Sequence, residues 1–137
     1  MIERVVVTLL LLAVGFVVYA GLRRYQVRRA ASSASTDPIL RDLKPNVPAI
    51  VYFTTPTCVP CRTQQQPALT LLQRELGDDH IQIVEIDATE YPDAADRWGV
   101  FSAPTTFVLD VHGTPRKVNH GVANTDKLKR QLQAIAV

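Results

Sequence analysis

Residues 49–77 read AIVYFTTPTCVPCRTQQQPALTLLQRELG, and the fold is decided in this stretch. The apolar run Ala49–Thr54 has the length and composition of a buried strand. Further on, Leu69, Leu72 and Leu76 recur at helical spacing, and Gly77 is a natural helix end. Between the two lie Cys58 and Cys61, the only cysteines among 137 residues. The pattern predicts a strand followed by a helix from Pro60 to about Leu76, with the cysteines at the helix N-terminus. Pro60 fits a first helical turn, where no ladder bond is lost. Pro67 lies further in and is expected to kink the helix.

That junction suits thiol chemistry. Unpaired backbone N–H groups in a first turn favour negative charge. A free cysteine titrates near ~8.5, and in Cys-X-X-Cys sites it falls to ~3.5–7.5. Cys58 is therefore the expected nucleophile, forming a mixed disulfide that Cys61 resolves. Two other readings stand beside this one. A structural disulfide here closes too small a loop to add much stability. A zinc site needs about four ligands, and His80, His112 and His120 show no paired spacing.

Outward from the junction, Asp37 and Pro38 predict a capped short helix to about Lys44. Ile81–Asp87 alternates as a second strand, and Tyr91–Trp98 is a short helix ended by Gly99. Thr105–Leu109 is a third strand. Asp110-Val111-His112-Gly113 is a hairpin turn, with Arg116–His120 returning. Thr125 is expected to cap a last amphipathic helix with Leu128, Leu132 and Ile135 inward. A helix between the first two strands implies a parallel pair, and the hairpin an antiparallel one. Gln64-Gln65-Gln66 reads as a solvated helix face. Trp98 reads as a buried aromatic in preference to a site residue. Arg62 either adds positive charge near the thiols or is simply solvated.

The N-terminus is different in kind. Val5 to Leu22 carries no charge over eighteen residues, about 27 Å of helix, enough for a bilayer core. The expected division is a transmembrane anchor at 1–22, a basic then Ala/Ser-rich linker at 23–36, and a globular domain at 37–137. A cleaved signal peptide is the second reading, though its positive charge normally precedes the apolar run. A buried core helix is the third, though it would hardly be apolar all round in so small a domain. Residues 1–36 hold five arginines against Glu3, a balance of +4, while the remainder balances at −2. The globular part therefore shows no basic stripe and no nucleic-acid footprint. Arginines directly after the span favour a cytoplasmic domain, with an extracytoplasmic one as the alternative.

One further motif is Ser102-Ala103-Pro104-Thr105-Thr106. With it, over roughly residues 38–137, the chain resembles the thioredoxin family. The resemblance is carried by Phe53, Cys58-Val59-Pro60-Cys61, Ile86-Asp87, Trp98-Gly99-Val100, Ala103-Pro104-Thr105, Gly113 and Gly121, in order and at similar spacing. It implies an α/β, three-layer thioredoxin-like fold with a central mixed sheet flanked by helices, here preceded by one transmembrane helix. It implies that Pro104 is cis and packs against the dithiol, and that Ala103 offers backbone hydrogen bonds to an extended substrate. Thr57, Val59 and Pro60 complete the expected substrate surface. No cofactor or metal is implied beyond the redox-active Cys58–Cys61 disulfide. The implied partners are protein disulfides or dithiols, an upstream dithiol reductant or oxidant, and the membrane.

Departures from the family pattern are specific. Thr57 stands where Trp is usual before the first cysteine, and Val59 where Gly is common. Tyr52 occupies the position of a buried Asp thought to help deprotonate the resolving thiol, and Thr54 that of a second Trp. A phenol titrating near ~10 is a poor base at neutral pH; Glu85 or a water is the alternative relay. These changes imply a specialised thiol–disulfide exchange protein, with a non-catalytic, membrane-anchored binding module as the alternative function.

Overall fold

The computed structural model describes residues 1–34 and 37–135. Its sheet is built from β1 (Ala49–Thr54), β2 (Gln82–Asp87), β3 (Thr105–Leu109) and β4 (Pro115–His120), in the order β2-β1-β3-β4. β1 pairs parallel with β2 and antiparallel with β3, and β3 pairs antiparallel with β4. Every residue of β1 and of β3 is buried, as befits central strands covered on both faces.

Alternation along β1 divides the core in two. Ala49, Val51 and Phe53 face α3 (Pro92–Trp98), where Phe53, Trp98 and Phe107 form a ring cluster with centroids 5.0–6.0 Å apart. Ile50 and Tyr52 face α2 (Gln66–Leu76) and α4 (Thr125–Ile135), with Leu69, Leu72, Leu128 and Leu132. Both cysteines belong to this second core. Gly99 ends α3 in the left-handed conformation, φ 69°, which glycine adopts without steric cost.

Several sequence expectations are corrected. The helix α1 runs Ile2–Ala34, so residues 23–34 are helical and continue the apolar stretch without a break; residues 35 and 36 lie outside the described residues. Nothing between Leu22 and Ala34 breaks a helix. Tertiary contacts support the extension: Val27 packs on the α3-side core and Gln26 Oε1 lies 3.0 Å from His120 Nε2. The apolar stretch of α1 is long enough to cross a membrane, and none of it is buried, which removes the core-helix reading. The helix expected at Pro38–Lys44 is only a 3-10 turn, Pro38–Leu40. The cap of α4 is Asn124, whose side chain accepts from Lys127 N–H at 2.8 Å. The Thr125 hydroxyl instead donates to the Ala68 carbonyl at 2.9 Å.

Asp37 does more than cap. Its carboxylate accepts from Ile39 N–H, from Arg97 Nε and Nη2 at 3.1 Å each, and from Trp98 Nε1 at 2.9 Å. Burial raises this carboxyl, but the hydrogen bonds from Arg97, Trp98 and Ile39 outweigh it, and the group titrates below the ordinary aspartate range. A depressed carboxylate contributes stability above its unfolded pKa, about 3.9, and loses it as pH falls through the folded value. Asp37→Asn should therefore cost about 2–3 kcal/mol at neutral pH, below the full buried-pair range because Arg97 is partly exposed. Urea unfolding followed by Trp98 fluorescence checks this. The gap from wild type should close once the wild-type carboxyl is protonated.

Candidate redox site

Cys58 and Cys61 are joined in a disulfide, with S–S 2.06 Å, χ3 78° and Cα–Cα 5.3 Å. The chain leaves β1 at Thr54, turns through 55–57, and becomes helical at Val59. Cys58 thus takes the N-cap position, and its Sγ accepts from the Cys61 backbone N–H at 3.2 Å. That N–H belongs to the first turn, where donors lack helical partners. The same donor that now meets a disulfide sulfur would meet a thiolate after reduction, which lowers the cost of charging Cys58. Cys58 is 8% exposed and Cys61 fully buried, so attack from outside must begin at Cys58. Thr57, Val59 and Pro60 are exposed around it.

The second half of the site arrives through sheet register. β3 runs antiparallel to β1 with Thr105 opposite Phe53. The residues just before Thr105 therefore emerge at the end of β1 from which the cysteine loop departs. They are Ala103 and Pro104, joined by a cis peptide bond. Pro104 is buried, while Ala103 is half-buried and packs on the core cluster that holds both cysteines. Gly121 N–H donates to the Pro104 carbonyl at 2.9 Å, and the Thr105 hydroxyl to the Ser102 carbonyl. Both bonds hold the loop in place.

Helix geometry beyond Cys61 departs from the simple expectation. Residues Cys61–Gln65 form a π-turn in which Gln66 N–H reaches the Cys61 carbonyl. Pro67, which has no N–H and whose ring crowds the turn before it, accounts for this wider turn. Gln65 is consequently swung inward and is fully buried, not solvated. Its amide pairs reciprocally with Ala123, donating to the carbonyl at 3.0 Å and accepting from the N–H at 2.8 Å. The sequence reading missed this residue. Its only signal was its offset from Leu69 and Leu72, which places it on their helix face.

Tyr52 lies in the core beside the disulfide, 1% exposed, and its hydroxyl has no hydrogen-bond partner. Burial pushes the phenol above its ordinary value; the Thr54 side chain opposes the shift, and the Glu85 carboxylate adds to it. Glu85 is the register partner of Tyr52 on β2, is exposed, and accepts from Gln66 Nε2 at 3.4 Å. Trp98 is buried on the opposite face of the sheet from the disulfide and does not line the site. Arg62 is exposed, as are the three histidines. Among the described residues, no three metal-ligating side chains converge.

The Thioredoxin family model matches residues 33–134. The chain belongs to the thioredoxin family. Thioredoxin Y of rice chloroplasts (Oryza sativa subsp. japonica) is 32% identical over 129 residues, covering 86% of this chain and 74% of that protein. The thiol-disulfide oxidoreductase ResA of Geobacillus thermodenitrificans is 24% identical and covers 96% of this chain and 92% of its own. Among solved structures, oxidised mitochondrial thioredoxin 3 of Saccharomyces cerevisiae superposes with TM-score 0.56 at 27% identity. It covers 65% of this chain and 79% of its own. Thiol–disulfide exchange is the family-level chemistry that the Cys58–Cys61 pair supports.

With its titration raised by burial, the Tyr52 phenol stays neutral well above pH 7. Tyr52→Phe should therefore leave the rate of disulfide exchange at neutral pH within about twofold of wild type. Stability should be unchanged or up to about 1 kcal/mol higher, because a buried unsatisfied hydroxyl is removed. Stopped-flow exchange kinetics and urea unfolding read the two effects. A large loss of rate would identify the phenol as a proton carrier.

Proposed function

We propose that this chain is a membrane-tethered thiol–disulfide oxidoreductase that exchanges its Cys58–Cys61 dithiol with protein disulfides. One observation carries the reading: the outer cysteine of a Cys-X-X-Cys pair takes a helix N-cap, at the end of β1 to which register brings the cis Ala103-Pro104 bond. In the reducing direction the Cys58 thiolate attacks one sulfur of a substrate disulfide, forming a mixed disulfide and expelling a substrate thiolate. The Cys61 thiolate then attacks Cys58 Sγ and expels the second substrate sulfur. Two electrons and two protons pass to the substrate, and the enzyme is left as its disulfide. An upstream dithiol restores it, and an upstream oxidant drives the reverse cycle. No further cofactor enters this balance.

Ala103 and Pro104, with Thr57, Val59 and Pro60, form the surface that receives an extended substrate segment, in the manner of strand addition. The apolar part of α1 is the anchor. The arginines that follow it favour the cytoplasmic face. A C-terminal alkaline phosphatase fusion stays inactive on that face and becomes active on the extracytoplasmic one.

Insulin reduction by the full chain tests the chemistry. Wild type should turn over, and Cys58→Ser should fall to background. Cys61→Ser should accumulate the mixed disulfide, visible on non-reducing gels. Cysteine-independent behaviour, with partner binding retained in both variants, would identify an anchored binding module instead.

A further inference from the structure

Five basic side chains converge where α1 leaves its apolar stretch and meets β4. A cleft of about 620 Å³ is lined by Arg23, Arg24 and Arg28 from the helix and by Arg116 and Lys117 from the strand, over a floor of Val27 and Val118. Among the described residues, no carboxylate lines it. Asp110 reaches Arg116 from the hairpin turn at 3.4 Å, which leaves a strong positive excess. Like charges gathered on rigid, packed elements repel unless an anion joins them. Val27 is half-buried against the α3-side core and Gln26 Oε1 lies 3.0 Å from His120 Nε2, which holds this stretch of the helix against the domain.

From this geometry we infer that the cleft binds the phosphate of an anionic phospholipid headgroup. The inference rests on the reading of α1 as a membrane span. Its depth argues for lipid. Arg23 and Arg24 follow Leu22, the last residue of the uncharged run, and Arg28 lies about 6–7 Å beyond them along the axis. That interval matches the polar zone between hydrocarbon and water. Tyr19 and Tyr25 are exposed on either side of the junction, as interfacial aromatics are. An adjoining crevice sets Tyr19, Leu22 and Arg23 against Phe101, Ser102 and Lys127. Phe101 is 78% exposed and faces the same level as the end of the span. The valine floor suits the glycerol and first methylenes, and the cations suit the phosphate. One consequence follows for the redox site. Ser102 precedes Ala103-Pro104 directly, so the substrate loop lies close to the bilayer surface, and disulfides presented there are the accessible ones.

The test uses the full chain purified in detergent, with native mass spectrometry counting retained phosphatidylglycerol and phosphatidylcholine. Wild type should retain phosphatidylglycerol preferentially. Arg24→Gln, Arg28→Gln and Lys117→Gln should each lower that preference about fivefold, with insulin turnover unchanged as the check on folding. Millimolar inorganic phosphate should not displace the lipid. Equal retention of both lipids, full retention by the triple variant, or displacement by phosphate would each overturn the inference. Carbonate extraction of membranes separates this failure from failure of the tether. A chain that stays in the membrane without lipid preference refutes the cleft alone, whereas a chain released by carbonate refutes the anchor and the cleft with it.

Discussion

The antiparallel pairing of β1 with β3, Phe53 opposite Thr105 and Ala49 opposite Leu109, is the constraint on which the site depends. Both strands are buried throughout, so neither can slip without turning its apolar side chains to the wrong face. With the register held, the chain leaving β1 and the chain entering β3 meet at one end of the sheet. The first supplies the Cys58–Cys61 loop and the second supplies Ala103-Pro104. Two segments more than forty positions apart in sequence become a single site because a ladder of backbone hydrogen bonds leaves them nowhere else to go.

Around that end the molecule is rigid where exchange needs it to be. Cys61 is anchored in the core with Leu69, Leu72 and Tyr52, and the π-turn after it turns Gln65 onto the Ala123 backbone. This buried amide ties the redox helix to the loop before α4, and each of its two bonds satisfies a backbone group that would otherwise be orphaned. Only Cys58 and its neighbours reach the surface. On the other face of the sheet, Asp37 ties the start of the domain to Arg97 and Trp98, bracing α3 behind β1. The electrostatics near the disulfide are plain: backbone donors at the helix start, and a phenol held neutral by burial.

Much of this was legible in the residues. Unbroken apolar runs marked β1 and β3, and the Cys-X-X-Cys spacing and Ala103-Pro104 marked two segments that the sheet brings to one end. The end of α1 was not legible, because arginine and alanine suit a helix and a linker alike. What settles it is Val27 packing, half-buried, against the α3-side core. Gln65 was hidden among three glutamines, with only its offset from Leu69 and Leu72 to set it apart. Asp37 looked like a local cap, since its bonds to Arg97 and Trp98 span some sixty residues. Asn124 and Thr125 are both good caps, and the hydroxyl of Thr125 was claimed by Ala68, a contact that no local pattern encodes.

Thiol–disulfide exchange requires the Cys58–Cys61 disulfide to be an exchanging bond and not a structural one. Its reduction potential, measured on the full chain by equilibration with glutathione or dithiothreitol buffers, addresses that most directly. A working exchange pair should fall between about −270 and −120 mV, the span from reducing to oxidising members of this chemistry. A value below about −300 mV, typical of structural disulfides, would contradict it.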